Sequence, residues 1–238
     1  MRIAVISDIH GNESALQAVI EDIGQWHVDE IICLGDVATL GPAPCNAIQM
    51  LRNLNCHCIL GNHDAFMTHP EQIRSYTSDP LVVNAVAWCR NQLSTDDLAF
   101  IRTFKPCIEL ADASGTLLCF HGSPQNHTQD ILSTTPAGDL DDMLEGNSAD
   151  VMACGHTHIQ MLRQHKGMLI LNPGSVGLPF KEYVAGCKPT LLEHAEYAVI
   201  EMTPAHTDIK LRRISYDREA FKKAVERCDD PIRKLLAR

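Results

Sequence analysis

The stretch RIAVISDIHGN, residues 2–12, contains the first elements of the fold. Its opening part, Arg2 to Ser7, is a short apolar run of the kind that forms a buried strand. Asn12 is a favourable N-cap residue, and the apolar residues after it recur at helical spacing along one face. The stretch therefore predicts a strand, a turn and an amphipathic helix.

The same pattern recurs through residues 1–60. It predicts a second strand from Glu30 to Leu34, a helix from Pro44 to Leu54 and a third strand from Cys56 to Leu60. Successive strand–helix–strand units form a parallel sheet, and ligands bind beyond the carboxyl ends of its strands. Residues just after these strands are therefore the candidates for a functional site.

The remainder of the chain changes character twice. Residues 65–105 are polar and helix-prone, which predicts a helical insert; the apolar stripe around Trp88 favours core packing, with a cap that shapes substrate access as the alternative. The second half is β-rich and ends in a charged helix from Asp217. Strands are predicted at Ile108 to Asp112, Thr116 to His121, Asp150 to Cys154, Met168 to Leu171, Tyr197 to Met202 and Asp208 to Ile214. We predict a single α/β domain over residues 1–238.

Composition limits the partners of this chain. Twenty Lys and Arg against thirty Asp and Glu give a net charge of -10, which disfavours nucleic acid. No apolar run approaches the ~18 residues of a membrane span. The ten cysteines are scattered, some within apolar strands, which favours reduced thiols and a cytoplasmic location. A structural zinc site at Cys56, His57 and Cys58 is disfavoured, because alternation along a strand sends the imidazole away from both thiols.

Seven residues of types that bind metal ions follow the predicted strands or lie between them. Alternate residues of an extended segment point the same way, so the Asp8 and His10 side chains should converge, as should those of His156 and His158. Taken alone, each motif is a weak indicator of a metal site. Asp36 could instead be a helix N-cap, and His156 and His158 could be surface histidines. The full set is Asp8, His10, Asp36, Asn62, His121, His156 and His158. Together they suffice for two adjacent metal ions, which points to hydrolysis of a phosphate ester.

The motifs and their order resemble those of the calcineurin-like metallophosphoesterases. The matching segments are Asp8-Ile9-His10, Gly35-Asp36, Gly61-Asn62-His63-Asp64, His121 and Gly155-His156-Thr157-His158. The later segment Asn172-Pro173-Gly174-Ser175-Val176-Gly177 resembles the small bacterial and archaeal branch. The resemblance implies a four-layer sandwich, in which two facing mixed β-sheets are flanked by helices.

The resemblance also implies a role for each site residue. One metal would be held by Asp8, His10 and His158, the other by Asn62, His121 and His156, with Asp36 bridging both. A hydroxide shared by the metals would attack phosphorus. His63 would act as general acid toward the leaving group, with Asp64 holding its other ring nitrogen; a ligand or merely packed His63 is the alternative. Without thiolate ligands, the site suits manganese, iron, zinc, cobalt or nickel, and manganese is our favoured metal.

The residues after Asp36 narrow the substrate class. Protein phosphatases of this family continue with an Asp-Arg-Gly run, whereas this chain has Ala38-Thr39-Leu40-Gly41 and so lacks the arginine. We therefore predict a phosphodiesterase acting on a small-molecule phosphate ester, with a phosphomonoesterase as the alternative. A non-catalytic metal-binding scaffold of the same fold is disfavoured, because no ligand is replaced. A homo-oligomer is also compatible with the sequence.

Overall fold

Two five-stranded mixed sheets form the centre of the structure. The structure is a computed structural model and describes residues 1–183 and 189–236, without the side chain of Asp230. The first sheet contains β1 (Arg2–Ile6), β2 (Glu30–Cys33), β3 (His57–Cys58), β9 (Ala195–Met202) and β10 (Thr207–Ile214), in the order β10-β9-β1-β2-β3. β1, β2 and β3 are parallel, as the repeating strand–helix pattern predicts, and β9 and β10 are antiparallel additions.

The second sheet is built mainly from the middle of the chain. It contains β4 (Cys107–Asp112), β5 (Gly115–Phe120), β6 (Val151–Ala153), β7 (Met161–His165) and β8 (Met168–Asn172), in the order β4-β5-β6-β8-β7. β4 and β5, which match two of the predicted strands, form a hairpin, while β5, β6 and β8 are parallel. β7 is an edge strand that pairs antiparallel with β8 and was not predicted.

Helices connect and cover the strands. In chain order they are α1 (Glu13–Ile23), α2 (Pro44–Leu54), α3 (Asn62–Thr68), α4 (Ile73–Tyr76), α5 (Pro80–Gln92), α6 (Thr95–Ile101), α7 (Ala137–Leu144), α8 (Arg218–Glu226) and α9 (Asp230–Leu236). The Asn12 side chain caps α1 by accepting the Ala15 N–H, as predicted. The predicted bounds of α2 coincide with the observed ones, whereas α7 was not predicted.

Three apolar cores show the four layers. Between the sheets, Val5 of β1 and Leu34, just after β2, pack with Leu117 of β5 and Val151 of β6. The outer face of the first sheet packs against helices, and the outer face of the second packs against α7 through residues such as Leu140. The α/β sandwich of two sheets flanked by helices is thereby confirmed. Trp88 lies on the helical face that packs near α9, in agreement with core packing of its stripe.

Within the described ranges, every helix is too short or too polar to cross a membrane.

Candidate metal centre

The loops at one edge of the two sheets bring all seven predicted ligands together. Strands β1, β2 and β3 of the first sheet are followed by Asp8 and His10, by Asp36 and by Asn62, respectively. Strands β5 and β6 of the second sheet are followed by His121 and by His156 and His158. Six of the seven residues are buried, and His156 is partly exposed as a residue although its side chain is only 6% exposed. The site therefore lies where the carboxyl ends of parallel strands from both sheets meet.

The first cluster contains Asp8, His10 and His158. The Nε2 atoms of the two histidines are 3.1 Å apart, and Nε2 of His158 is 3.2 Å from Asp8 Oδ1. Donors bound about 2.1 Å from one ion at right angles to each other are separated by roughly 3 Å. These separations therefore suit three ligands of one cation.

The second cluster contains Asp36, His121 and His156, with Asn62 beside it. His121 Nε2 is 3.0 Å from Asn62 Oδ1 and 3.3 Å from Asp36 Oδ2. The same Asp36 oxygen is 3.9 Å from His10 Nε2, which belongs to the first cluster. Asp36 thus belongs to the second cluster and also lies next to the first.

The hydrogen bonds of His121 and His158 determine which ring nitrogen faces the centre. In both His121 and His158, Nδ1 faces a backbone carbonyl oxygen, at 2.8 and 2.7 Å, so Nδ1 must carry a proton. In a neutral ring, Nε2 then has only a lone pair, which in His158 faces Asp8 Oδ1 and in His121 faces Asn62 Oδ1. Such facing lone pairs repel unless a cation or a proton lies near them. Among the described residues, Asp8 Oδ1 is in addition buried without a hydrogen-bond partner. The donor set therefore fits divalent cations.

The electrostatics of the buried groups also favour bound cations. Burial raises the pKa of Asp8, but His158 outweighs it and lowers that pKa to about 2. Burial lowers the pKa of His121, but the Asp36 carboxylate raises that pKa to about 9, so without a metal ion a proton on this ring offsets the negative charge. The pKa of His10 falls to about 3 because of burial and the neighbouring His158. The centre thus combines ionised carboxylates, which need positive charge, with a neutral imidazole that has a lone pair to offer.

The backbone at the ligands is strained. Asp8, His10, Asp36, His156 and His158 have φ between 46° and 68°, which is the left-handed region that residues other than glycine seldom adopt. The expectation of alternation along an extended segment is therefore wrong for both Asp-x-His and His-x-His. The side chains do converge, but they do so because left-handed turns aim them. Such strain is typical of functional sites whose surroundings enforce the geometry.

Two glycines make the close approach of these turns possible. Gly35 has φ 106°, and a Cβ atom there would lie 2.5 Å from the backbone nitrogen of Gly61. A Cβ atom at Gly61 would lie 2.1 Å from Asp36 Oδ1. A side chain at either position would collide with atoms at or next to Asp36, so glycine is needed there for space and not only for a tight turn.

A comparison of the sequence with known families agrees with this geometry. The profile described as the calcineurin-like phosphoesterase superfamily domain matches residues 1–191. The chain belongs to the calcineurin-like phosphoesterase superfamily. It is accordingly a metal-dependent phosphoesterase, a hydrolase whose family binds divalent metals and acts on phosphate esters.

Individual relatives of this phosphoesterase are distant. An uncharacterised protein of Methanocaldococcus jannaschii is 28% identical over 231 residues, which cover 94% of this chain and 92% of that protein. A metallophosphoesterase from Sphaerobacter thermophilus superposes with a TM-score of 0.74 at 24% identity and covers 100% of this chain and 99% of its own. A hypothetical protein from Pyrococcus horikoshii OT3 has a TM-score of 0.82 at 18% identity, with 99% and 97% coverage. The two solved structures share the fold of this protein.

His63 lies beside the two clusters and belongs to neither. Its ring meets that of His10 edge to face at 5.2 Å, and its backbone N–H donates to Asp36 Oδ1 at 2.8 Å. The His63 Nδ1 atom is buried and, among the described residues, has no hydrogen-bond partner. The expectation that Asp64 holds this ring nitrogen is therefore corrected.

Asp64 instead organises the loops that carry Asp36 and Asn62. Its carboxylate accepts the backbone N–H groups of Asp36 at 2.7 Å, Val37 at 3.0 Å and Gly61 at 3.1 Å. These bonds join the turn after β2 to the start of α3. The short reach of an aspartate beside three convergent N–H groups explains why it turns to the backbone and away from the adjacent ring.

Several residues that position the ligands were missed by the sequence analysis. Thr39 Oγ1 is 3.1 Å from Nδ1 of His10, and the Phe180 ring stacks on His158 at 4.3 Å between centroids. Ser7 donates to Asp8 Oδ2, and Ser175 donates to the Asp8 carbonyl at 2.7 Å. Ser175 lies in the segment 172–177, whose resemblance to the family gave a signal. Thr39 and Phe180 belong to no motif, so nothing in the sequence marked them.

Proposed function

We propose that this phosphoesterase is a binuclear phosphodiesterase. The observation that carries the proposal is the position of Asp36, whose Oδ2 atom is 3.3 Å from His121 Nε2 and 3.9 Å from His10 Nε2. A carboxylate shared by two ligand clusters supports a pair of adjacent ions with Asp36 as the bridge. In this assignment Asp8, His10 and His158 hold one ion, and Asn62, His121 and His156 hold the other.

The donor set supports a first-row divalent metal. When bound, a pair of such ions would withdraw charge from the phosphate oxygens and lower the pKa of the attacking water. The ligands are carboxylate, amide and imidazole groups, which suit manganese among several first-row metals, and manganese is the metal we propose.

The surrounding protein would fix the ligands and supply a proton. Backbone carbonyls of Leu34 and Leu178 hold the Nδ1–H groups of His121 and His158 and so direct each Nε2 inward. His63 would donate a proton to the leaving oxygen as its bond to phosphorus breaks. The imidazole is buried beside the centre, and its Nδ1 atom has no hydrogen-bond partner in the part of the chain that the structure describes, which supports a role toward a bound substrate.

The charge around the centre supports a diester in preference to a monoester. Near neutral pH a phosphate monoester carries a charge of about -1.5 to -2, whereas a diester carries about -1. Among the described residues, Asp8 and Asp36 form their ion pairs with histidines and with neither lysine nor arginine. The half-buried Leu40 lies on the turn after Asp36, where the resemblance would place the arginine of protein phosphatases. These pairs thus bring no lysine or arginine to meet a second negative charge on the substrate.

The proposal is tested by metal content and by substrate preference. We expect the manganese-loaded protein to hold two ions per chain and to hydrolyse bis(p-nitrophenyl) phosphate with a higher kcat/KM than p-nitrophenyl phosphate. Asp36→Asn should weaken the binding of both ions and abolish turnover. Asp22→Asn is the matched control, since Asp22 pairs with Arg212 away from the centre. One ion per chain at saturation would refute the binuclear assignment, and a monoester preference would assign a phosphomonoesterase instead.

A further inference from the structure

An aromatic surface lies exposed beside the metal centre. Among the described residues, the large apolar or aromatic side chains that stand out as exposed are Tyr76, Leu162 and Tyr183, at 43%, 49% and 42%. Tyr76 is in ring contact with two residues of the site, His63 at 5.9 Å and His156 at 6.3 Å. A large ring left open to solvent beside a reactive centre is a candidate contact for substrate.

Tyr76 is held firmly in this position by the helical segment between β3 and β4. It is the last residue of α4, whose first residue, Ile73, is buried in the core beneath the first sheet. The inner side of the Tyr76 ring packs against the buried Phe66 ring, with centroids 5.6 Å apart. One side of the ring is thus supported by protein, while the rest is free to receive another group.

The position of Tyr76 relative to His63 indicates which part of a substrate it would meet. His63 is the residue that we assign to the leaving oxygen, and the two rings meet edge to face at an interplanar angle of 80°. With His63 in that role, the group nearest Tyr76 would be the organic part of the leaving alcohol. No hydrogen-bond partner of the Tyr76 hydroxyl is found within the described ranges, so a substrate could also bond to it.

The charge around Tyr76 favours a neutral group. His156, which Tyr76 contacts, is 3.5 Å from the Asp130 carboxylate, and Asp130 in turn accepts a hydrogen bond from Tyr183 at 2.6 Å. A further phosphate or carboxylate on the leaving group would meet this acidic side chain. A planar uncharged ring would instead stack on or pack against Tyr76.

We propose that Tyr76 is a specificity residue, which binds a neutral aromatic ring of the leaving alcohol of a phosphodiester. The inference rests on the proposed phosphodiesterase activity. It assigns a role to the helical segment, whose residue Tyr76 supplies the contact, and it defines the substrate class as diesters with an aryl or nucleobase ring near the scissile bond.

The test uses binding as well as turnover. Methyl(2-phenylethyl)phosphinate and methyl(2-cyclohexylethyl)phosphinate carry a single charge, cannot be hydrolysed and differ in one ring, which is planar and aromatic in the first but puckered, saturated and slightly larger in the second. Calorimetric titration of the manganese-loaded protein should give a Kd about two- to tenfold lower for the phenyl compound, the range expected of an aromatic pair. Benzyl and cyclohexylmethyl methylphosphonate, each with one cleavable ester, should show the same order in kcat/KM.

Variants assign the preference to the ring. Tyr76→Phe should keep the phenyl preference, and Tyr76→Leu should lose it while still binding two manganese ions, which shows that the centre is intact. Tyr183→Leu is the matched control, because Tyr183 is equally exposed but has no described ring contact with His63. It should leave the ratio of the two Kd values unchanged.

The outcomes separate this inference from the proposed function. Equal Kd values for the two phosphinates in the wild-type protein, with diester turnover intact, would overturn the role of Tyr76 alone. A preference that survives Tyr76→Leu, or that Tyr183→Leu removes, would overturn it as well. If neither phosphinate binds and no diester is hydrolysed, the proposed phosphodiesterase fails and the inference fails with it. A nucleoside 5′-methylphosphonate, tested beside the benzyl ester, distinguishes a nucleobase from a simple aryl ring by the larger loss of kcat/KM in Tyr76→Leu.

Discussion

Replacing Gly61 by alanine should displace the Asp36 carboxylate. The backbone of Gly61 has φ -82° and ψ 168°, which alanine adopts without strain, so the effect is confined to the added methyl group. That Cβ atom would lie 2.1 Å from Asp36 Oδ1 and 2.6 Å from the Asp36 nitrogen, whereas real Cβ atoms keep at least 3.0 Å. The carboxylate must therefore move by about 1 Å, since ordinary contact distances have to be restored.

This displacement should lower activity far more than stability. A misplacement of about 1 Å at a reacting centre can reduce the rate by about 10²-fold, and overpacking a buried site costs about 1–3 kcal/mol. The Asp36 Oδ1 atom also accepts the backbone N–H of His63, so the same movement disturbs the residue assigned as proton donor. We expect kcat for bis(p-nitrophenyl) phosphate to fall about 100-fold and manganese affinity to fall with it.

The assay compares two identical chemical changes. Gly138→Ala, in α7, adds a methyl group with no heavy atom within 4 Å, so it should leave activity unchanged and raise the free energy of unfolding by up to about 1 kcal/mol. Turnover, bound manganese and urea unfolding are measured for both variants and the wild-type protein. A Gly61→Ala protein that retains two ions and wild-type turnover would refute the reasoning.

Three further perturbations have defined outcomes. His63→Ala should keep both ions but reduce turnover of esters with poor leaving groups by about 10²–10⁴-fold, and equal losses for good and poor leaving groups would contradict the assignment. Asp64→Asn should lower the free energy of unfolding by about 1–3 kcal/mol in urea titrations, because convergent backbone N–H groups lose an acceptor; an unchanged midpoint would argue against this role. Burial raises the pKa of Asp22, but hydrogen bonds from Tyr197 and Arg212 outweigh burial and lower that pKa below the usual 3.8. The stability that this carboxylate contributes is therefore complete above pH 3.8 and is lost as pH falls through the lowered pKa. Stability curves against pH should thus be flatter in acid for Asp22→Asn than for the wild-type protein, and parallel curves would disprove the link.

The convergence of the ligands could be predicted from the sequence because it depends on strand direction. Asp8 and Asp36 each follow a parallel strand, and parallel strands end at one edge. The left-handed turns that orient these side chains could not be predicted, because aspartate adopts such φ values only occasionally and nothing in the local sequence requires them. The surroundings impose these turns: His10 N–H donates to the Asp36 carbonyl, and Asp8 N–H donates to that of Gly35.

Two elements escaped prediction for a different reason. β7, with the sequence MLRQH, has no β-branched residue and lies at the edge of its sheet, where one neighbour alone stabilises it. α7 contains Gly138 and three aspartates, which weaken the helical signal. Tertiary contacts decide both elements, with Leu140 and Leu144 buried against the second sheet. Local preference alone therefore could not find them.

The division of the proposed ligands between the sheets would link metal supply to folding. Asp8 and Asp36 follow strands of the first sheet, while His121 and His158 follow strands of the second, so each cluster draws donors from both. An ion in either cluster would join the two sheets in the folded chain and would be released on unfolding. Free metal at 100 times its Kd would add about 2.7 kcal/mol per site to the free energy of unfolding. A chelator would then lower the melting temperature as well as the activity, and the amount of folded protein would follow the concentration of free metal.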